Sequence, residues 1–320
     1  MLKIVVAVVS GFMLTGCVSL TSLTSDSAPS GDPIVMAAGG KAPIIAKLDR
    51  EAWVQIRKNG KDEEKRLYTA LGTGDFEVAK EEARAYLLKH PKNRTALVVL
   101  STAFAMQKDF RQALYYGELV QRYHPGSYDS ELANLRGLAA LYKPRMTYAD
   151  YAEASSHFNA SFQASRTQTA AGLNLGHVQL LMGSAAAAES TFKQVEGRCG
   201  GCVDSQIGYG IALTRQRKYD KAKEVFAQIL NKHPNHILAM YRLALIEKNG
   251  YNNEEEAKDY LKKILADNSS SSLDVKRQAN TLLHSMQAME VGREIAEDSK
   301  DEEPSVKPVA AQESEESEAE

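Results

Sequence analysis

The 320-residue sequence predicts an all-α fold, a superhelical α-solenoid of about six helical hairpins with a capping helix at each end. Three observations carry this. First, a small residue recurs at a nearly constant interval. Ala79, Ala113, Ala154, Ala188, Ala222 and Ala257 lie 34, 41, 34, 34 and 35 residues apart, and a period of this length marks one supersecondary unit repeated along the chain. Second, the residues around each alanine keep helical spacing. Ala222, Val225, Phe226, Ile229 and Leu230, for example, share one face of a helix. Third, aromatics stand three residues before four of the alanines (Phe76, Phe110, Tyr151 and Tyr219), and Pro91, Pro125 and Pro234 close helices in three of the units. A single hairpin would leave its apolar face wet, so the units must stack and the two ends must be capped.

Composition is consistent with this and excludes other classes. With 43% hydrophobic and 25% charged residues, the chain is neither wholly disordered nor a polytopic membrane protein. The formal charge of -2 hides an uneven distribution, because residues 297–320 hold ten acidic residues against two lysines, leaving 37 basic against 31 acidic in the first 296. That surplus is spread along the chain rather than gathered into a stripe, so no nucleic-acid partner is expected.

From the N-terminus, residues 1–16 have the form of an export signal: Lys3, an apolar stretch from Ile4 to Leu14, then small residues up to Cys17. The apolar stretch is too short to span a bilayer permanently. Leu14-Thr15-Gly16-Cys17 resembles the lipobox of bacterial lipoproteins, which implies that Cys17 is acylated and becomes the mature N-terminus, giving a lipid anchor in the membrane. Val18 stands where an Asp would favour retention at the inner membrane, so the resemblance implies an outer-membrane protein facing the periplasm. The alternative is an ordinary secretory signal with a chance cysteine. Residues 17–43, rich in Ser, Thr, Gly, Pro and Ala, form a tether. Ile45, Leu48, Ala52 and Ile56 mark an N-terminal capping helix over 44–60 that Asn59-Gly60 can end.

The repeats over 61–270 resemble the tetratricopeptide repeat, a helical hairpin of 34 residues. The fourth copy carries the pattern in Leu175-Gly176, Gly183, Ala188 and Phe192, and the fifth in Tyr209-Gly210, Tyr219, Ala222, Phe226 and Pro234. The first copy departs from it, with Arg66-Leu67 and Ala70 in place of Leu-Gly and Tyr. The third has about seven extra residues, expected as a longer turn from Lys143 to Asp150 containing Pro144, and the sixth has one extra near Gly250-Tyr251-Asn252. After the last copy, Val275, Ala279, Leu282, Leu283, Met286 and Met289 keep helical spacing, and Ser271 with Asp274 can form a capping box, giving a C-terminal capping helix over 271–296. The acidic residues 297–320 offer nothing to pack and are read as disordered.

No phosphate-cradling loop, catalytic carboxylate pair or nucleophile elbow is present, so the chain is expected to be non-catalytic, without cofactor or small-molecule substrate. His90, His124 and His233 precede the three prolines, where an imidazole suits a helix C-terminus. Cys199-Gly200-Gly201-Cys202 falls in the turn between the fourth and fifth hairpins. Its glycines permit a tight backbone, and in an oxidising periplasm a small structural disulfide is expected. Two other readings stand beside it: a redox pair, and a zinc site, since His233 and His236 follow Cys199 and Cys202 by 34 residues each.

In the resembling family the first helix of each hairpin lines a concave groove. The matching positions are Val98, Leu138, Leu141, Leu173, His177, Leu180, Ile207, Ile211, Leu238, Tyr241 and Leu245. An apolar groove of this kind is expected to hold a partner, unless neighbouring repeats or the terminal helix cover it. The asparagine ladder and basic end clamps of chaperone-binding relatives are not evident. With the lipobox, the architecture is similar to pilotin-type lipoproteins and to the tetratricopeptide lipoproteins of tight-adherence pilus systems. This implies a scaffold for envelope proteins such as a secretin or pilus components. The alternatives are a peptidoglycan-linked or outer-membrane-protein assembly adaptor, and a redox or metal protein using the cysteine pair.

Overall fold

The computed structural model describes residues 61–143, 146–267 and 273–301. The signal, Cys17, the tether, the 44–60 helix and the end of the acidic segment lie outside the described residues, as does the Ser271 half of the expected capping box. Thirteen α-helices and no strand occur among the described residues. Six hairpins run in order: α1 (Asp62–Thr73) with α2 (Phe76–Lys89), α3 (Arg94–Met106) with α4 (Phe110–Tyr123), and α5 (Asp129–Leu141) with α6 (Tyr148–Ala164). They continue with α7 (Thr169–Leu181) and α8 (Ala185–Cys199), α9 (Val203–Arg215) and α10 (Tyr219–Lys232), and α11 (Ile237–Ile246) and α12 (Glu254–Ala266). The long α13 (Leu273–Asp301) closes the array.

Local chemistry starts these helices. Asp75, Asn93, Asp109 and Asn253 each accept a hydrogen bond from the backbone N–H three residues on, and Thr147 with Asp150 forms a reciprocal capping box, satisfying donors that the first turn leaves open. The turns inside the hairpins share a backbone device. Gly74, Lys108, Gly183, Arg217 and Asn252 all have positive φ, at spacings that reproduce the repeat period and skip only the third hairpin. Three of the five are not glycine and accept the left-handed conformation at some cost in strain, so the sharp reversal at this point is imposed by packing.

The irregular copies absorb their extra residues differently. In the third, the longer turn ends at Thr147, so Asp150 is already helical, and α6 lengthens to 17 residues. In the sixth, a wide π-type turn over Glu247–Tyr251 follows α11, accommodating one extra residue without shifting α12. Helix α13 runs to Asp301, beyond the expected limit at 296. Val275, Ala279, Leu283 and Met286 are buried against α11 and α12, whereas Met289 is exposed.

All six ruler alanines are fully buried. The tightest contacts pair a phenylalanine on a second helix with a glycine on a first helix. A Cβ at Gly137 would come within 2.5 Å of the Phe158 ring, one at Gly210 within 2.5 Å of Phe226, and one at Gly172 within 2.5 Å of Phe162. Phe192 fills two such gaps, 2.6 Å from a Cβ at Gly176 in its own hairpin and 2.3 Å from one at Gly208 in the next. No side chain fits between those surfaces.

This generates a paired test. Gly208→Ala forces the Phe192 ring to move and should lower stability by about 1–3 kcal/mol. Gly197→Ala, on the open side of α8 where a Cβ would meet nothing within 4 Å, should raise stability by roughly 0.5–1 kcal/mol. Urea midpoints read both, and equal midpoints for the two variants would contradict the close approach at Gly208.

Candidate interaction surface

The concave face is made by first helices lying side by side, α7 against α9 and α9 against α11, with α13 packed on α11. This arrangement changes the meaning of the positions that line it. Val98, Leu173, His177, Ile207, Ile211 and Leu238 are buried, with Leu173 at 2% and Ile207 at 1% exposure. Leu138, Leu141, Leu180, Tyr241 and Leu245 are half-buried. None of the eleven is exposed: six are covered by neighbouring helices, and the other five keep part of their surface accessible.

Polar side chains are set among these apolar positions. His177 is buried edge-to-face against Phe192, with ring centroids 5.2 Å apart. Burial, reinforced by the nearby Arg242 cation, pushes its imidazole down to about 3. Asn174 Nδ2 donates to Asn134 Oδ1 at 3.1 Å across α5 and α7, a buried polar pair between two first helices. The insertion in the third copy sets the two asparagines 40 residues apart, which hides the pair from a search at a spacing of 34. Arg242 of α11 is half-buried, and its Nε is sealed from solvent without an acceptor. This residue was missed because the period places it level with Asn174 and Gly208, a position whose occupants share no chemistry.

The cysteines are bonded to each other, with Cα atoms 5.6 Å apart. Cys199 ends α8, Gly200 and Gly201 both take positive φ, and Cys202 precedes α9. The four-ligand arrangement does not assemble. His236 turns its Nδ1 to accept from the Ala239 N–H at 3.2 Å and so caps α11, His233 ends α10, and no cluster suited to a metal ion occurs among the described residues. His124 Nε2 donates to the Lys92 carbonyl at 2.6 Å, tying one inter-hairpin turn to the preceding one.

Exposed apolar surface lies elsewhere, on second helices and the third hairpin's turn. Tyr115 is 56% exposed, Tyr142 57% and Tyr148 66%, and the Tyr142 ring lies 5.1 Å from that of Phe110. Lys143 holds the turn through Asp150 at 2.5 Å and Glu153 at 3.3 Å. The Lys143 ammonium, with the Thr147 backbone and hydroxyl, brings the Asp150 carboxyl down to about 2. Nothing in the repeat pattern marks these tyrosines, since they sit off the ruler positions. Among the described residues no helix is long and apolar enough to cross a membrane.

Comparison with known proteins agrees with the fold. One tetratricopeptide repeat model matches residues 65–129 and another matches 204–236 and 238–271, so the chain carries tetratricopeptide repeats in its first two and last two hairpins. Hairpins three and four, which contain the insertion and the proline-free cysteine turn, are not matched, although the fourth carries Leu175-Gly176, Gly183, Ala188 and Phe192 of the pattern. A structure of Pseudomonas aeruginosa pilF is similar at 16% identity with a TM-score of 0.54, over 69% of this chain and 96% of that one. The Cut9–Hcn1 hetero-tetramer of the APC/C is similar at 14% identity and a TM-score of 0.54, over 73% of this chain and 45% of that one. YrrB, described as a tetratricopeptide protein with an unusual peptide-binding site, has 15% identity and a TM-score of 0.46, over 62% and 97%. These likenesses concern the fold alone. No curated protein sequence matches the chain.

His177 provides a pH test. Its folded-state value lies below the ordinary 6.5, so as pH falls the unfolded chain takes up the proton first. The stability is whole above the ordinary value and drains away toward about 3. Lowering pH from about 7 to about 5 should cost roughly 2 kcal/mol through this residue. His177→Gln should remove most of that dependence in urea titrations. An unchanged dependence would mean that His177 is not held neutral in the core.

Proposed function

We propose that the protein is a lipid-anchored scaffold at the periplasmic face of the outer membrane, assisting the assembly or positioning of an envelope complex such as a type IV or tight-adherence pilus or a secretin. Tetratricopeptide arrays act as protein-interaction scaffolds, and a non-catalytic role suits the fold. The observation that carries the cellular part is Leu14-Thr15-Gly16-Cys17 placed ahead of the array. Acylation of Cys17 would tether the hairpins to a membrane through chains that each add about 0.8 kcal/mol per buried methylene. The likeness to pilF over 96% of that chain supports the pilus reading as an analogy of architecture.

In this reading partners dock on the outer aromatic surface of Tyr115, Tyr142 and Tyr148, where rigid rings with a polar tip suit a protein interface. Six of the eleven apolar concave positions are buried in the chain's own packing. The closing experiment has two parts. Intact mass of the protein from envelopes should show a mature N-terminus at Cys17 bearing acyl chains, and Cys17→Ser should leave the protein uncleaved and without its lipid anchor. Crosslinking from Tyr142 in intact cells should then capture pilus or secretin subunits. A mass without acyl chains rejects the anchor, and capture of cell-wall enzymes or barrel-assembly subunits instead rejects the pilus reading in favour of an assembly adaptor.

A further inference from the structure

Arg242 stands half-buried without a hydrogen-bond or ion-pair partner among the described residues. It projects from α11 into the concave face, where α9 offers only Gly208 at the matching repeat position, and its charge is felt at His177 on α7. Its Nε is buried without an acceptor. No hydrogen bond or ion pair joins Arg242 to any of the described residues, in contrast to Lys80, Lys223 and Lys258, each of which has a glutamate within 3 Å. The charged and titratable groups acting on it are Tyr241, Arg215 from the end of α9, and the neutral His177. Burial and the Arg215 charge both work against the Arg242 cation. A guanidinium keeps its proton in proteins, and a carboxylate, which fits the guanidinium fork with two parallel hydrogen bonds, is the group complementary to one whose Nε is sealed without an acceptor.

The sequence supplies a candidate close at hand. Residues 302–320 hold seven glutamates against one lysine, and they follow α13, whose Met286 shares a core with Met240 and Leu243 on either side of Arg242. From Met286 to Asp301 the helix extends about 22 Å. Nineteen further residues can span up to about 60 Å, enough to fold back over that distance and the width of the helix layer. A tethered carboxylate also arrives at high effective concentration, of the order of millimolar for a short flexible linker.

We propose that Arg242, with Arg215 beside it, is a carboxylate-binding site in the concave face, and that its occupant is a glutamate of the chain's own acidic segment 302–320. The site takes an acidic side chain from an extended segment and holds it at the junction of α7, α9 and α11. This assignment is independent of the envelope role and needs no other protein.

The test uses the full mature chain carrying Cys17→Ser and a nitroxide attached at Ser317→Cys, with the amide signals of the array as reporters. Signals around His177, Gly208 and Tyr241 should lose intensity relative to the reduced label. The loss should vanish as ionic strength rises from about 0.1 M to about 1 M, which shortens the screening length from ~10 Å to ~3 Å. It should also vanish in Arg242→Gln and shrink in Arg242→Lys. Because Arg242→Gln could perturb the groove itself, a second variant leaves the site intact and changes Glu313, Glu315, Glu316, Glu318 and Glu320 to Gln. It should abolish the loss equally. No loss in the parent, or a loss unchanged in either variant, overturns the proposal. Mixing an isotope-labelled chain without nitroxide and an unlabelled chain with it separates the sources. A loss that persists in the mixed sample would place a second copy's segment in the site and overturn the intramolecular assignment.

Discussion

The array depends on a ring from one helix occupying space that a neighbouring helix leaves by having no side chain. Phe158, Phe162, Phe192 and Phe226 are all essentially excluded from solvent, and each lies where a Cβ on the facing glycine would overlap it. Phe192 matters most because it faces Gly176 within its own hairpin and Gly208 in the next, so one side chain fixes both the closure of a unit and the stacking of two units. Burying such a ring is worth a few kcal/mol, and the close backbone approach adds dispersion contacts that a looser crossing would forfeit. Everything else about the concave face follows. Helices that approach this closely cover much of one another's apolar rows and set His177 and Arg242 among them.

The same constraint explains the tolerance of the fold for irregularity. Seven extra residues in the third hairpin go into a longer turn and a longer α6, and one extra in the sixth goes into a π-type turn. The ring-and-gap contacts are unaffected, because Gly137 still meets Phe158. Insertions are accepted where they can be displaced outward, and the third turn, with its exposed Tyr142 and Tyr148, is surface that the repeat does not need for stacking. Loops freed in this way are where recognition tends to reside.

Much of this was legible in the sequence, for identifiable reasons. The ruler alanines and their aromatics announce the fold because the requirement for a small residue at a crossing recurs with the period, and all six alanines are indeed buried. Helix ends before Pro91, Pro125 and Pro234 were legible because the effect of proline on the backbone is local. The fate of the first-helix apolar residues was not. Helical spacing tells which side chains share a face but not whether the next hairpin lies over that face, and Leu173 and Ile207 proved to be core. Arg242 was invisible for the opposite reason: its interest lies in what fails to surround it, and an absent counter-charge leaves no pattern in a sequence. The tyrosines of the third turn are likewise made notable only by exposure.

The central claim is that the hairpins are coupled to their neighbours through the shared ring, and hydrogen–deuterium exchange of Phe192→Leu tests it most directly. A leucine keeps the site apolar but leaves part of both glycine gaps empty, at a cost of about 1–3 kcal/mol. The account predicts faster exchange in α7, α8, α9 and α10 together, with α1 to α4 least altered, because in a stacked array a weakened interface is felt first by the units that share it. Faster exchange confined to α8, or spread evenly over all thirteen helices, would show that Phe192 does not couple the fourth hairpin to the fifth.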